Sequence, residues 1–334
     1  MVGVAILHHL EGDTEETWPT ARAYAELVEQ VCLADTLGYQ SVWFAEHHFS
    51  AFRGRVPNPL LLIARLAGET RRIRLGPAVL LTPYYHPLRL AEDVAMTDIL
   101  LGGRLEAGLS SSGGAAEQSG FGDDLSAKHE RLRGLIGFLR AAWNGEAVRP
   151  DGAAEPVCIS PVPLQTFEEM VWVAASSPGA AEVAGWCGAH LLLPSLKTIE
   201  QSAEHVAVYR KALTAAGHDP ATRRIQVTLH AWIDADRERA LAEGMPIAQT
   251  YVGRYLDSGP VARIEDETLA GTMERVNFVV GDADDLRAAV ARRRDAIGIT
   301  QIALQLRLGG MSHERTQQAM VDCMRALQSE RVPE

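Results

Sequence analysis

The chain has little that would tie it to nucleic acid, a membrane or the cell exterior. It carries 32 lysines and arginines against 43 aspartates and glutamates, a net charge of −11. An acidic balance disfavours nucleic acid and anionic membranes as partners. Cysteine is scarce: Cys32, Cys158, Cys187 and Cys323 lie far apart and form no C-x-x-C pair. That is the pattern of reduced, mostly buried thiols in a cytoplasmic protein. The apolar run at residues 1–7 has no basic stretch and is soon broken by His8 and His9. It is too short for a signal peptide or a membrane span.

Several signatures of catalysis are missing too. The first apolar run is not followed by G-x-G-x-x-G or G-x-x-x-x-G-K-[ST], and no G-x-S-x-G marks a nucleophile elbow. The carboxylates are scattered, so no glycosidase pair can be read. No H-x-x-x-H or H-x-H spacing suggests a metal, and adjacent strand residues such as His47 and His48 point to opposite faces. No metal site is expected. There is no internal repeat, coiled-coil heptad or low-complexity tract.

What the chain has is alternation. Of its 334 residues 47% are hydrophobic, enough for a large core. Apolar runs of strand length fall at residues 2–7, 41–45, 73–81, 105–109, 171–175, 191–193, 225–233 and 301–306. Helical patterns separate them, with stop and cap signals at Gly38, Pro87, Thr198 with Gln201, Asp282 or Asp284, and Gly298. Eight strands, each followed by helix, predict an α/β fold: a single (β/α)8 TIM barrel over residues 1–334, one domain. Residues 150–165 read as a turn-rich surface excursion. Residues 236–281, after strand seven, read as a long, less regular insertion and a candidate mobile cover for an active site. The run Arg292-Arg293-Arg294 reads as a solvated helix face.

In such a barrel, catalytic groups sit at the C-terminal ends of the strands. Those ends are His8-His9, Glu46-His47-His48, Thr82-Pro83-Tyr84, Ser110 to Gly114, Ser176 to Gly179, and Arg307 to Gly310. An imidazole can donate, accept or relay a proton near neutral pH. His47 is the expected working residue and His48 the expected structural one, tied to a backbone carbonyl. Ser176-Ser177-Pro178-Gly179 leads from strand to helix, where free N–H groups suit a phosphate; an ordinary turn with a serine cap reads the same way. The serines from Ser110 onward suit a cofactor face, or simply a turn.

These residues together resemble the bacterial luciferase-like flavin-dependent monooxygenase family. The matching stretches are G-Y-Q-S-V-W-F-A-E-H-H-F from Gly38, N-P-L-L-L-I-A-R-L-A from Asn58, I-R-L-G-P-A-V from Ile73, H-P-L-R-L-A-E-D-V-A from His86 and G-G-R-L-E-A-G from Gly102. V-A-A-S-S-P from Val173 and G-G-M-S-H-E from Gly309 extend the likeness across nearly the whole chain. The resemblance implies a homodimeric barrel that binds reduced FMN, delivered by a separate flavin reductase, and uses dioxygen to oxygenate a small organic substrate. It implies His47 beside the flavin, a non-proline cis peptide at Ala78-Val79 under the ring, and Ala175, Ser176, Ser177 and Arg131 near the phosphate, with Ser110 and Ser111 following strand four. Ser111 stands where many members carry arginine, in a pattern ending G-x-x-R-G. Losing that charge-assisted contact weakens phosphate binding by about 1.5–3 kcal/mol, or roughly tenfold to a hundredfold. Two rival readings follow: a deazaflavin-dependent hydride-transfer enzyme, and a non-catalytic flavin-binding or partner subunit. The retained His47 speaks against the second rival.

Overall fold

A computed structural model describes residues 2–11, 15–49, 54–257, 268–308 and 310–328. The chain opens with β1 (Gly3–His8), α1 (Thr20–Leu37), β2 (Ser41–Phe44), α2 (Pro59–Leu66), β3 (Arg74–Pro77), β4 (Leu80–Leu81) and α3 (Pro87–Leu100). It continues through β5 (Ala107–Ser110), α4 (Ala115–Phe121), α5 (Lys128–Trp143), α6 (Phe167–Met170), β6 (Val171–Ala174), α7 (Pro178–Trp186), β7 (His190–Leu193) and α8 (Ile199–Ala215). It ends with β8 (Ile225–Ile233), α9 (Arg237–Asp257), α10 (Leu269–Arg275), β9 (Phe278–Gly281), α11 (Ala283–Ile297), β10 (Gln301–Gln305) and α12 (His313–Gln328). Two cap signals act as the sequence predicts: Thr198 and Asp282 close capping boxes with Gln201 and Asp285. Asn58 adds a cap that the sequence reading did not name, its side chain accepting the Leu61 N–H.

Every strand pair is parallel, in the order β3-β2-β1-β10-β8-β7-β6-β5-β4. β3 and β4 are two pieces of the third expected strand, parted at Ala78-Val79, whose peptide bond is cis. A Leu75–Leu105 bridge carries β3 to the chain leading into β5, and β4 pairs with β5. β9 pairs with β8 outside the ring. The barrel therefore has the eight strands that the alternation predicts. Gly76 is needed at the β3 crossing, since a Cβ there would lie 2.2 Å from the Glu106 carbonyl.

Two apolar layers hold the barrel. The outer one fills the space between strands and helices. The inner one fills the lumen with Ala5, Leu7, Trp43, Ala45, Trp172, Leu192 and Ala303, alternate residues of their strands. Trp43 and Trp172 meet edge to face, ring centroids 5.4 Å apart. Truncating either to Ala would cost about 3–5 kcal/mol. At the N-terminal end, buried Glu106 accepts from Arg74 (2.5 Å), twice from Arg224 (2.7 and 3.0 Å) and from the Trp172 indole. This charged plug closes one end of the lumen and leaves the other to carry a site.

The insertion is more regular than the sequence suggests. Its described part is two helices and a strand, α9, α10 and β9, packed on the end of β8 through Trp232, Tyr251, Met273, Val276 and Phe278. The rest of it, residues 258–267, lies outside the described residues, as does Gly309. Arg293 corrects the expectation of a solvated face. It is fully buried and donates to Asn277 Oδ1 at 2.9 and 2.6 Å. Asn277 in turn donates to the Ser195 and Lys197 carbonyls, joining the insertion to the loop after β7. The thiols are also less uniform than expected: Cys187 and Cys323 are buried, but Cys158 is exposed.

Candidate active site

A cavity of about 390 Å³ opens at the C-terminal ends of the strands. Its inner walls are Leu7, Ala45, Ala174 and Leu192, and Ala78 and Val79 form part of its side. Its polar rim is His9, Glu11, Glu46, His47, Ser110, Ser112, Ser176 and Ser195. The volume and the mix of apolar wall with few polar groups suit a small organic ligand.

His47 lies just past the end of β2. Its Nδ1 is 3.3 Å from Glu117 Oε1, and the two side chains are 24% and 0% exposed. Glu117 Oε1 also accepts the His48 backbone N–H at 3.3 Å, while Oε2 finds no partner among the described residues. The hydrogen bond from His47 holds the Glu117 carboxyl down at about 2. A carboxylate facing Nδ1 favours an N–H on that side of the ring and leaves Nε2 on the far side. The His9 ring tilts against that of His47 at 5.5 Å.

Glu46 and His48 brace this arrangement. His48 Nε2 is 3.0 Å from Glu46 Oε1, so its partner is a side-chain carboxylate rather than the expected backbone carbonyl. Glu46 Oε2 accepts the Tyr85 hydroxyl at 2.7 Å and the Leu81 N–H at 3.4 Å. Burial, then the charge of Glu46, pushes the Tyr85 hydroxyl pKa up, which keeps it a donor. His48 is outside the cavity lining and packs edge-on against Phe121 at 4.9 Å. His8 is buried, and burial, with help from Arg307, lowers its pKa to about 3.

The residues nominated for a phosphate divide. Ser176 is exposed to the cavity, and Ser177 caps α7, its Oγ accepting the Ala180 N–H at 3.3 Å. Ala175 is buried behind them, with its N–H engaged by the Leu192 carbonyl at 2.9 Å. Ser111 is buried and does not line the cavity, whereas Ser110 does. Arg131 also stands apart from the lining. Its guanidinium donates to Asp123 Oδ1 at 3.0 Å and to the Asp124 carbonyl at 2.5 Å, because an acidic turn precedes α5. The side chain found at the start of α7 is instead His129, with Nε2 3.3 Å from Ser177 Oγ. Gly179 makes room for it: a Cβ there would lie 2.7 Å from the imidazole.

Sequence reasoning missed Glu117, His129 and Gln226. Glu117 and His129 are ordinary polar residues of amphipathic helices in the sequence. Gln226 left a signal: in β8, Gln226, Thr228 and His230 alternate with Ile225, Val227 and Leu229, and all nine residues of the strand are buried. In a closed barrel that alternation turns polar groups into the lumen. Above them, Tyr251 of α9 donates to Glu11 Oε1 at 2.5 Å, and Gln305 donates to Tyr251 at 2.9 Å, joining the insertion to the rim.

A family model described as luciferase-like monooxygenase matches residues 1–301. The chain is 29% identical over 310 residues to the oxygenase component of a flavin-dependent trigonelline monooxygenase from Acinetobacter baylyi, covering 87% of this chain and 85% of that one. Its structure is similar to that of monooxygenase RslO1 from Streptomyces bottropensis, with a TM-score of 0.85, 26% identity and coverage of 98% and 99%. The fold is also that of the oxygenating constituent of 3,6-diketocamphane monooxygenase from Pseudomonas putida, solved in complex with FMN, with a TM-score of 0.77, 16% identity and full coverage of both chains at 100%.

Proposed function

Because the chain belongs to the luciferase-like monooxygenase family, we propose that it is an oxidoreductase that uses reduced FMN and dioxygen to oxygenate a small organic substrate. The observation that carries this reading is the meeting, in one cavity, of His47, the apolar Ala78-Val79 wall and Ser176 beside the start of α7. The residues present fit a flavin. An apolar slab suits a flat ring, the helix start with Ser176, Ser177 and His129 suits a phosphate, and the buried Oε1 of Gln226, without a partner among the described residues, offers a polar contact inside.

Reduced FMN, when bound, supplies the electrons that activate dioxygen. The protein's own part is to bind, orient and move protons. Ala78, Val79 and Ser110 hold the ring, Ser176 and Ser177 the phosphate end. Glu117 keeps the Nδ1 proton on His47, so that Nε2 takes or returns a proton at the reacting edge. Leu7, Leu192 and Leu193 keep water from the inner cavity.

The supply of reduced FMN by a separate reductase is supported by the Acinetobacter relative's description as an oxygenase component. We further read residues 1–334 as one cytoplasmic domain, an assignment supported by four free cysteines. No helix among the described residues is long and apolar enough to cross a membrane. A homodimer is supported by the apolar side chains left outside on α2 and α3: Leu61 is 70% exposed, Met96 52% and Leu100 52%. The test is titration with reduced FMN and, separately, reduced deazaflavin, followed by mixing with oxygen. Tight FMN binding with oxygen uptake is expected. Tight deazaflavin binding alone, without oxygen uptake, would replace this reading with hydride transfer.

A further inference from the structure

Gln226 is the second residue of β8 and therefore lies deep, toward the closed end of the cavity, with Thr228 further along the same face. It is 2% exposed, lines the cavity, and its Oε1 finds no hydrogen-bond partner among the described residues. The register sets it between Leu192 of β7 and Gln301 of β10. Gln301 makes no hydrogen bond to it: the Gln301 amide nitrogen donates to Ser41 Oγ at 2.6 Å, and the Gln301 Oε1 is likewise without a partner among the described residues. Buried amides are almost always paired, so one facing a cavity points to a ligand. An amide offers a donor and an acceptor side by side, and its two ends exchange by a simple flip. The apolar walls of the cavity are Leu7, Ala45, Ala174 and Leu192, with Leu192 the register neighbour of Gln226, and an ion set against them would be left unpaired.

We propose that Gln226 reads an uncharged, adjacent N–H and C=O pair, the lactam or imide edge of a flat ligand, at the inner end of the cavity. The proposal rests on the reading of this cavity as the flavin and substrate site. Two ligands can bring that edge: the imide of the FMN ring, or a lactam substrate.

Binding of FMN and of N3-methyl-FMN to wild type, Gln226→Met and Gln226→Leu separates the sources, read by quenching of flavin fluorescence. The paired experiment titrates 2-pyridone, a small uncharged lactam, into each FMN-loaded protein. If the flavin is the source, wild type prefers FMN to its N3-methyl form by about fivefold to tenfold, and both variants lose the preference. If the substrate is the source, the flavin preference is the same in all three proteins, and 2-pyridone binds the variants about fivefold to tenfold more weakly. Either result supports the assignment. Both variants should melt no lower than wild type, because they remove a buried group without a partner. If neither probe distinguishes wild type from the variants while FMN binds all three, Gln226 is satisfied by solvent and the proposal is wrong. If FMN does not bind wild type, the flavin reading fails, and 2-pyridone added to the flavin-free protein decides the Gln226 assignment alone.

Discussion

His47 Nδ1 and Glu117 Oε1 face each other at 3.3 Å, although 69 residues separate them in the chain and neither reveals the other in the sequence. The carboxylate is fully buried and ionised, and the imidazole reaches the cavity. The buried carboxylate thus holds the ring in place while His47 lines the cavity. The same Oε1 accepts the His48 N–H, so the loop after β2 and the short helix α4 are joined at the site itself.

Glu117→Gln is expected to keep FMN binding but to lower turnover on the order of tenfold to a hundredfold, since the glutamine no longer fixes the proton on Nδ1. Stability gives an independent check. The folded pKa of Glu117 is lowered from 4.5 to about 2, so its contribution is full above 4.5 and is lost as pH falls toward about 2. Melting curves of wild type and Glu117→Gln should differ most near neutral pH and converge across that acid window. A constant gap would contradict an ionised Glu117 carboxylate.

His129→Ala is expected to weaken FMN by about tenfold to a hundredfold, the worth of a hydrogen bond to a charged group. Riboflavin, which lacks the phosphate, should bind both proteins equally. Burial, then Lys128, lowers the His129 pKa. Acidification through that pKa turns the ring into a cation, so the affinity for FMN, but not riboflavin, should rise as pH falls. Equal loss for both ligands would place His129 elsewhere in the site.

Arg293→Met leaves Asn277 Oδ1 buried without its two donated hydrogen bonds. The expected cost is about 1–3 kcal/mol, read as a fall of a few degrees in Tm. Hydrogen exchange should quicken in β9 and in the loop carrying Ser195. An unchanged Tm would mean that α11 holds the insertion by apolar contacts alone.

These predictions divide along the line between what periodicity carries and what it does not. The eight barrel strands were legible because each is an apolar run between helical patterns, and the place of His47 at the cavity was legible because the barrel fixes where strands end. Glu117 was not, because an acidic residue in Ala115–Phe121 looks solvated until β5 and the loop after β2 enclose it. Arg293 was hidden for a similar reason. Three arginines in succession look solvated, yet a helix turns each by about 100°, so one of three can face inward. Arg131 is a different case. The resemblance places it near the phosphate, and in this structure the acidic turn at Asp123 and Asp124 holds its guanidinium.

The most direct measurement of the central claim compares His47→Ala with wild type in two readings, the Kd for reduced FMN and single-turnover oxygenation. The expected result is an FMN Kd within about threefold of wild type and a turnover lower by about a hundredfold or more. Unchanged turnover would contradict the account, because the proton would then be handled by another group and the His47–Glu117 pair would be structural.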